Sequence, residues 1–113
     1  MPGKPHKKER LAELLHQEID QLFLKETEFP LGAMVTLMRV ELNADNTTAT
    51  AWVSIFPKQY VDSVMQQLER SSKFFLHKLI RRLNRAEIPR LTFQHDVGNE
   101  QIDEIDRLLK YNP

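Results

Sequence analysis

The chain has 113 residues, 41% of them apolar, with sixteen Lys and Arg balanced by sixteen Asp and Glu, four His and no Cys. That length makes one domain, which buries roughly two-thirds of the surface exposed in the unfolded chain, so a single core holds it, and disulfides and cysteine-ligated metals are excluded. No apolar run approaches the ~20 residues needed to cross a bilayer and the start is charged, so the sequence reads as a soluble, non-secreted protein.

Over residues 8–28, Leu11, Leu14, Leu15, Ile19 and Leu22 recur at three- and four-residue steps, which predicts an amphipathic helix ended by Pro30 and Gly32. Glu18 falls within that stripe, either as a carboxylate at its end or as a buried group that needs a partner. Residues 34–42 and 47–56 are rich in β-branched and apolar types, and Asn43, Ala44, Asp45 and Asn46 between them form turns, so the pair reads as an antiparallel hairpin. In the second strand Ala49, Ala51, Val53 and Ile55 make a small apolar face suited to a helix. In the first, the apolar phase shifts between Leu37 and Val40, which predicts a β-bulge near Met38 and Arg39.

Beyond Pro57, the stripe Val61, Val64, Met65 and Leu68 predicts a short helix, with a kink at Ser71 and Ser72 before the next. On that second helix Leu76, Leu79, Ile80 and Leu83 share one arc, while Lys78, Arg81, Arg82 and Arg85 share the opposite one. Pro89 stops it, residues 91–95 read as a third strand, and Asn99 caps a last helix that turns Ile102, Ile105, Leu108 and Leu109 inward. The order predicts an α+β domain with helices on one face of a three-stranded sheet.

The zero net charge hides an uneven distribution, and a polyanion responds to the local field. Residues 1–10 carry Lys4, Lys7, Lys8 and Arg10 against Glu9 alone. Residues 69–90 carry Arg70, Lys73, Lys78, Arg81, Arg82, Arg85 and Arg90 against Glu69 and Glu87, whereas the last eighteen residues are acidic. A helix with a cationic wet side is ordinary, and solvation is the commoner role of any one such face. Here no acidic residue interrupts the face and a second basic block accompanies it, which favours phosphates as its target. Phe74 lies near the cationic arc, where packing on the preceding helix is expected before stacking on a base, and Trp52 is expected to cover its strand neighbours.

Catalytic patterns are weak. His95 and Asp96 are neighbours in a strand and point to opposite faces; Ser71 and Ser72 have no His spaced to activate a hydroxyl. His6, His16 and His77 show no metal-ligand spacing, and Gly3, Gly32 and Gly98 are too scattered to cradle phosphates. No enzyme activity, metal or other cofactor is expected.

Val40-Glu41-Leu42 with Asp45, then Ala49 and Val53, and above all Ile88-Pro89-Arg90-Leu91-Thr92-Phe93 with Asp96, resemble ribosome-binding factor A. Arg10, Glu18-Ile19 and Leu31-Gly32 add further matches, so the resemblance runs from about residue 10 to 109. It implies a type II KH-like domain over residues 10–113, preceded by a flexible basic arm at 1–9. It also implies a cytoplasmic, non-enzymatic assembly factor that binds the free 30S subunit and 16S rRNA during late maturation. Such a factor assists processing of the 16S precursor, matters most in the cold, and works as a monomer alongside other assembly factors, away from membranes. The family marks its helix kink with Ala-x-Gly, where this chain has Ser71, Ser72 and Lys73; two serines bend a helix by bonding back to its carbonyls. From charge and periodicity, Lys73, Lys78, Arg81, Arg82, Arg85 and Arg90, helped by Lys7, Lys8 and Arg10, are expected to track phosphates. The alternatives are a protein adaptor that docks through the acidic last helix and, ranked last, an RNA-cleaving enzyme that uses His95.

Overall fold

A computed structural model describes residues 7–85 and 87–97. Its first element, α1 (Lys7–Lys25), buries Leu11, Leu15, Ile19 and Leu22, whereas Leu14, counted in the predicted stripe, is exposed. The helix ends at Lys25, short of the predicted end, and the Leu22 carbonyl there accepts both the Glu26 N–H and the Thr27 hydroxyl, each at 2.9 Å. The chain then reverses at Gly32, whose φ of 92° is open to glycine and strained for other residues. Close by, the Tyr60 hydroxyl donates to the Leu31 carbonyl at 3.1 Å.

Strands β1 (Met34–Leu42) and β2 (Thr48–Phe56) pair antiparallel. Leu37 faces Val53 and Arg39 faces Trp52, so Met38 is the extra residue of the predicted bulge. The bulge keeps both Leu37 and Val40 on the buried face. The loop between the strands is held by its own side chains. Asn43 Oδ1 accepts the Thr48 N–H at 2.9 Å, and Asp45 Oδ1 accepts the Thr47 N–H at 3.2 Å and the Thr47 hydroxyl at 2.6 Å. These donors favour the carboxylate and hold the Asp45 carboxyl below its usual range.

After a short 3-10 turn (Lys58–Tyr60), α2 (Val61–Arg70) and α3 (Ser72–Leu83) form the crossover that brings β3 (Arg90–His95) alongside β2 in parallel. The strand order is β1-β2-β3, so the small face of β2 lies at the centre, where Ala49, Ala51, Val53 and Ile55 are fully covered. Helices cover that one face, giving the α+β architecture expected from the sequence. The last predicted helix, from Asn99 to Leu109, lies outside the described residues, as does the arm over residues 1–6; Lys7, Lys8 and Glu9 belong to α1.

The kink corrects one expectation. Ser71, at φ −92° and ψ 2°, separates α2 from α3 through backbone bonds alone: its N–H reaches the Gln67 and Leu68 carbonyls, and its carbonyl accepts the Phe75 N–H. Neither serine hydroxyl bonds a described residue, so the bend comes from the main chain and not from serine back-bonding. A second correction concerns the face of α3. Phe75 and Leu79 are fully buried, while Leu76, Ile80 and Leu83 are only half-buried. Phe75 packs against both Phe23 and Phe93, with ring centroids at 5.7 and 5.4 Å, while those two rings stack on each other at 6.2 Å, and this cluster marks the core direction of α3.

Phe75→Ala should cost about 3–5 kcal/mol, because it leaves a cavity beside two rings that already pack on each other. Phe74→Ala, at a side chain 41% exposed, should stay within about 0.5 kcal/mol. Urea unfolding of both variants checks the contrast.

Candidate nucleic-acid interface

The four cations of α3 were expected to form one unpaired row, and the structure divides them. At about 100° per residue, Arg82 lies within about 20° of Phe75 on the helix wheel, Lys78 within about 60° and Arg81 about 120° away. With Phe75 as the centre of the buried face, Arg82 and Lys78 border the seam with α1. Arg82 Nε donates to Glu18 Oε2 at 2.7 Å, and Lys78 Nζ lies 2.9 Å from Glu26 Oε1. The hydrogen bond and the charge of Glu18 hold the Arg82 guanidinium still more firmly protonated. Glu18 is thus a seam carboxylate with a partner, which answers the question that its place in the α1 stripe raised. Lys78 also sits over the Phe74 ring, 5.6 Å from its centroid; Phe74 stays exposed and meets Phe75 edge-on instead of packing away beneath α2.

The remaining candidates fall into two groups. Lys73 follows the kink directly, with Arg70 just before it; both are exposed and have no ion-pair partner among the described residues. Beside them a groove of about 360 Å³ runs between Glu69 and Ser72 on one side and the outer edge of β3, from Arg90 to Gln94, on the other. β3 ends the sheet, so its outer backbone groups are free of strand partners among the described residues. Arg81 is exposed on the wet side of α3 between the two ends.

The second group lies at the far end of α3, about 18 Å from the kink for a helix of this length. There Arg85 follows the left-handed Asn84 and meets Arg10 of α1 beside Asn46 of the hairpin loop. Lys7 and Lys8 belong to the first turn of α1. Sequence reasoning missed Asn46, whose only signal was its place in the turn tetrad. It also missed Glu26 and the pairing of Glu18 with Arg82, because the partners lie on different elements.

On the opposite face of the sheet the Arg39 guanidinium covers the Trp52 ring at 4.6 Å and pairs with Glu41 and Asp96, so Trp52 is roofed by a neighbour, as expected for a covering residue. Among the described residues no group of three His, Asp or Glu could hold a metal, and no helix is long and apolar enough to cross a membrane.

A double-mutant cycle over Glu26→Ala and Lys78→Ala should give a coupling of about 0.2–1 kcal/mol, as for other half-exposed pairs, and it should shrink in ~1 M salt, where the Debye length is about 3 Å.

The family model for ribosome-binding factor A matches residues 7–109. The chain is 32% identical over 111 residues to the ribosome-binding factor A of Limosilactobacillus fermentum (strain NBRC 3956 / LMG 18251), covering 96% of this chain and 92% of that one. It is 28% identical over 110 residues to that of Thioalkalivibrio sulfidiphilus (strain HL-EbGR7), covering 96% and 85%. Among solved structures, the crystal structure of ribosome-binding factor A from Thermus thermophilus superposes with a TM-score of 0.65 at 21% identity, over 80% of this chain and 97% of that one. A homology model of the Thermus thermophilus factor, fitted into a cryo-EM map of a complex with the 30S subunit, gives 0.61 at 24% identity, over 84% and 97%. These structures share the KH-like fold with the one described above. With its strand order, its kinked helix pair and a family match over nearly its whole length, the chain belongs to the ribosome-binding factor A family.

Proposed function

We propose that this protein binds the free 30S subunit through 16S rRNA during late maturation and assists processing of the 16S precursor by holding RNA, without catalysis. The observation that carries the reading is the family match across residues 7–109. The complex of a relative with the 30S subunit supports it, and so do the exposed cations Lys73, Arg81, Arg85 and Arg90. Phosphates are the chemistry these side chains suit: each contact releases condensed counterions and adds to affinity irrespective of sequence.

In this reading Lys73 takes a phosphate near the kink and Arg81 one further along α3, with Arg90 along the β3 groove and Lys7, Lys8 and Arg10 at the other end. Lys78 and Arg82 contribute less, because meeting a phosphate requires them to leave Glu26 and Glu18. A bound protein that prefers one RNA conformer shifts the population by its differential affinity, which counts most in the cold, when misfolded RNA rearranges slowly. The protein works in the cytoplasm as a monomer, beside other assembly factors.

Co-sedimentation with purified 30S subunits across a salt series tests this. Affinity should fall steeply with salt, and the double variant Lys73→Ala, Arg81→Ala should flatten the log-log slope by about 1.4–1.8, at 0.7–0.9 per phosphate contact. Lys78→Ala should change it by less than half of one contact. An unchanged slope in the double variant would leave the α3 cations as a solvated face. Cells lacking the protein should accumulate unprocessed 16S precursor and free subunits; normal maturation in their absence would overturn the reading.

A further inference from the structure

Along α3 and beyond its end, an open cleft of about 630 Å³ is bordered by α1, the hairpin loop, α3 and the segment after it, within the ~300–1,000 Å³ usual for small-ligand sites. Its apolar wall includes Leu11, Leu76, Ile80 and Ile88. An adjoining hollow shares Leu11, Asn46 and Arg85 with it and brings in Arg10.

Two left-handed residues build this place. Asn84, at φ 52°, ends α3, and the Arg85 N–H then donates to the Ile80 carbonyl at 3.2 Å, which sets Arg85 at the cleft. Asn46, at φ 60°, occupies the tip of the loop. The loop's other polar side chains are spent on the loop itself: Asn43 bonds Thr47 and Thr48, and Asp45 accepts from Thr47 twice. Asn46 lines the cleft; its backbone N–H donates to the Asn43 carbonyl at 3.1 Å, while its side-chain amide makes no hydrogen bond to a described residue. It offers a donor and an acceptor side by side, the pair that matches the edge of a base.

Arg10 on α1 and Arg85 just past the end of α3 reach the same place, with no carboxylate partner among the described residues. Guanidinium groups so placed suit phosphate oxygens or the face of a base. Two carboxylates also line the cleft. Asp45 is committed to Thr47, and Glu87 is exposed, free to accept a hydrogen bond from an exocyclic amino group.

We infer that this cleft holds one unstacked nucleotide of single-stranded RNA, its base on the apolar wall with its edge read by Asn46 and its phosphates against Arg10 and Arg85. The inference rests on the RNA-binding reading above and adds to it a base-reading subsite in which Glu87 favours bases with an exocyclic amino group, such as adenine and cytosine, over uracil. An acidic peptide would satisfy the two arginines but leave the apolar wall and the Asn46 amide unused.

The test uses the full chain and fluorescence anisotropy, with short oligoadenylate, oligocytidylate and oligouridylate, inorganic polyphosphate and polyglutamate as probes. Asn46→Gly removes the amide and keeps the backbone, because glycine accepts φ 60° without strain; an unchanged urea midpoint verifies the fold. This variant should weaken oligoadenylate and oligocytidylate binding roughly five- to tenfold, as loss of one or two hydrogen bonds does, and leave the salt slope alone. Arg85→Ala should instead lower the slope by about 0.7 for every RNA probe. Wild-type affinity for Asn46→Gly, or oligouridylate, polyphosphate or polyglutamate binding as tightly as oligoadenylate, would overturn the subsite. Absence of all RNA binding in the wild type would overturn it too. Subunit co-sedimentation, read through Lys73 and Arg81, decides the broader function independently: oligonucleotide selectivity without subunit binding would sink that reading and keep the cleft.

Discussion

The packing of Phe75 against Phe23 and Phe93 fixes the rotation of α3 about its own axis, and the distribution of charge over the surface follows from that rotation. Burial of one aromatic side chain removes on the order of 150–250 Å² from water, far more than any solvated cation on the same helix can oppose. Once Phe75 and Leu79 point at the sheet, Lys78 and Arg82 border α1 and meet Glu26 and Glu18. Lys73, Arg81 and Arg85 remain toward water. The core thus selects which cations are available to a ligand, although none of those cations belongs to the core.

This explains how much of the molecule could be read from the sequence. The hairpin, its bulge at Met38 and the small face of β2 follow from alternation within one segment, and such periodicity reports the direction of each side chain directly. Helix faces are read less sharply, because an arc of about 100° or more counts as apolar. Omitting Phe75 from the arc of α3 moved its centre toward Leu76 and Ile80, and that displacement placed Lys78 and Arg82 opposite the core when they lie beside it. The ion pairs themselves needed knowledge of which helix lies next to α3. Glu18 carried the one local hint, a carboxylate inside an apolar stripe, but the stripe could not name its partner. The parallel pairing of β3 with β2 likewise depends on the crossover and not on any pattern within residues 90–95.

The candidate site was legible in its residue types and not in its layout. Charge counting found the cations, because clustered Lys and Arg need no tertiary information to be noticed. It could not show that α3 is neutralised along the α1 seam and cationic toward its two ends. Asn46 escaped notice for a different reason. Asn is common in turns because it tolerates the left-handed region and bonds its own backbone, so a turn asparagine has an ordinary local explanation. Only hydrogen-bond accounting shows that Asn43 and Asp45 hold the loop and that the Asn46 amide is left over at the cleft.

The kink stands at Ser71 and Ser72, followed by Lys73, where the resemblance drawn from the sequence implies Ala-x-Gly. A glycine at the third position lets another backbone approach closely because it has no side chain. In this chain that position is Lys73, exposed immediately after the bend, while the bend needs only the main chain of Ser71, whose φ and ψ of −92° and 2° suit any residue other than proline. At that position the chain therefore offers the reach of a long cationic side chain in place of a bare backbone. A lysine ammonium on a flexible stem meets a phosphate as a point charge from several ångströms away, at the cost of ordering its side chain. On the proposed reading, binding at this end leans on charge, the component of RNA affinity that salt removes first.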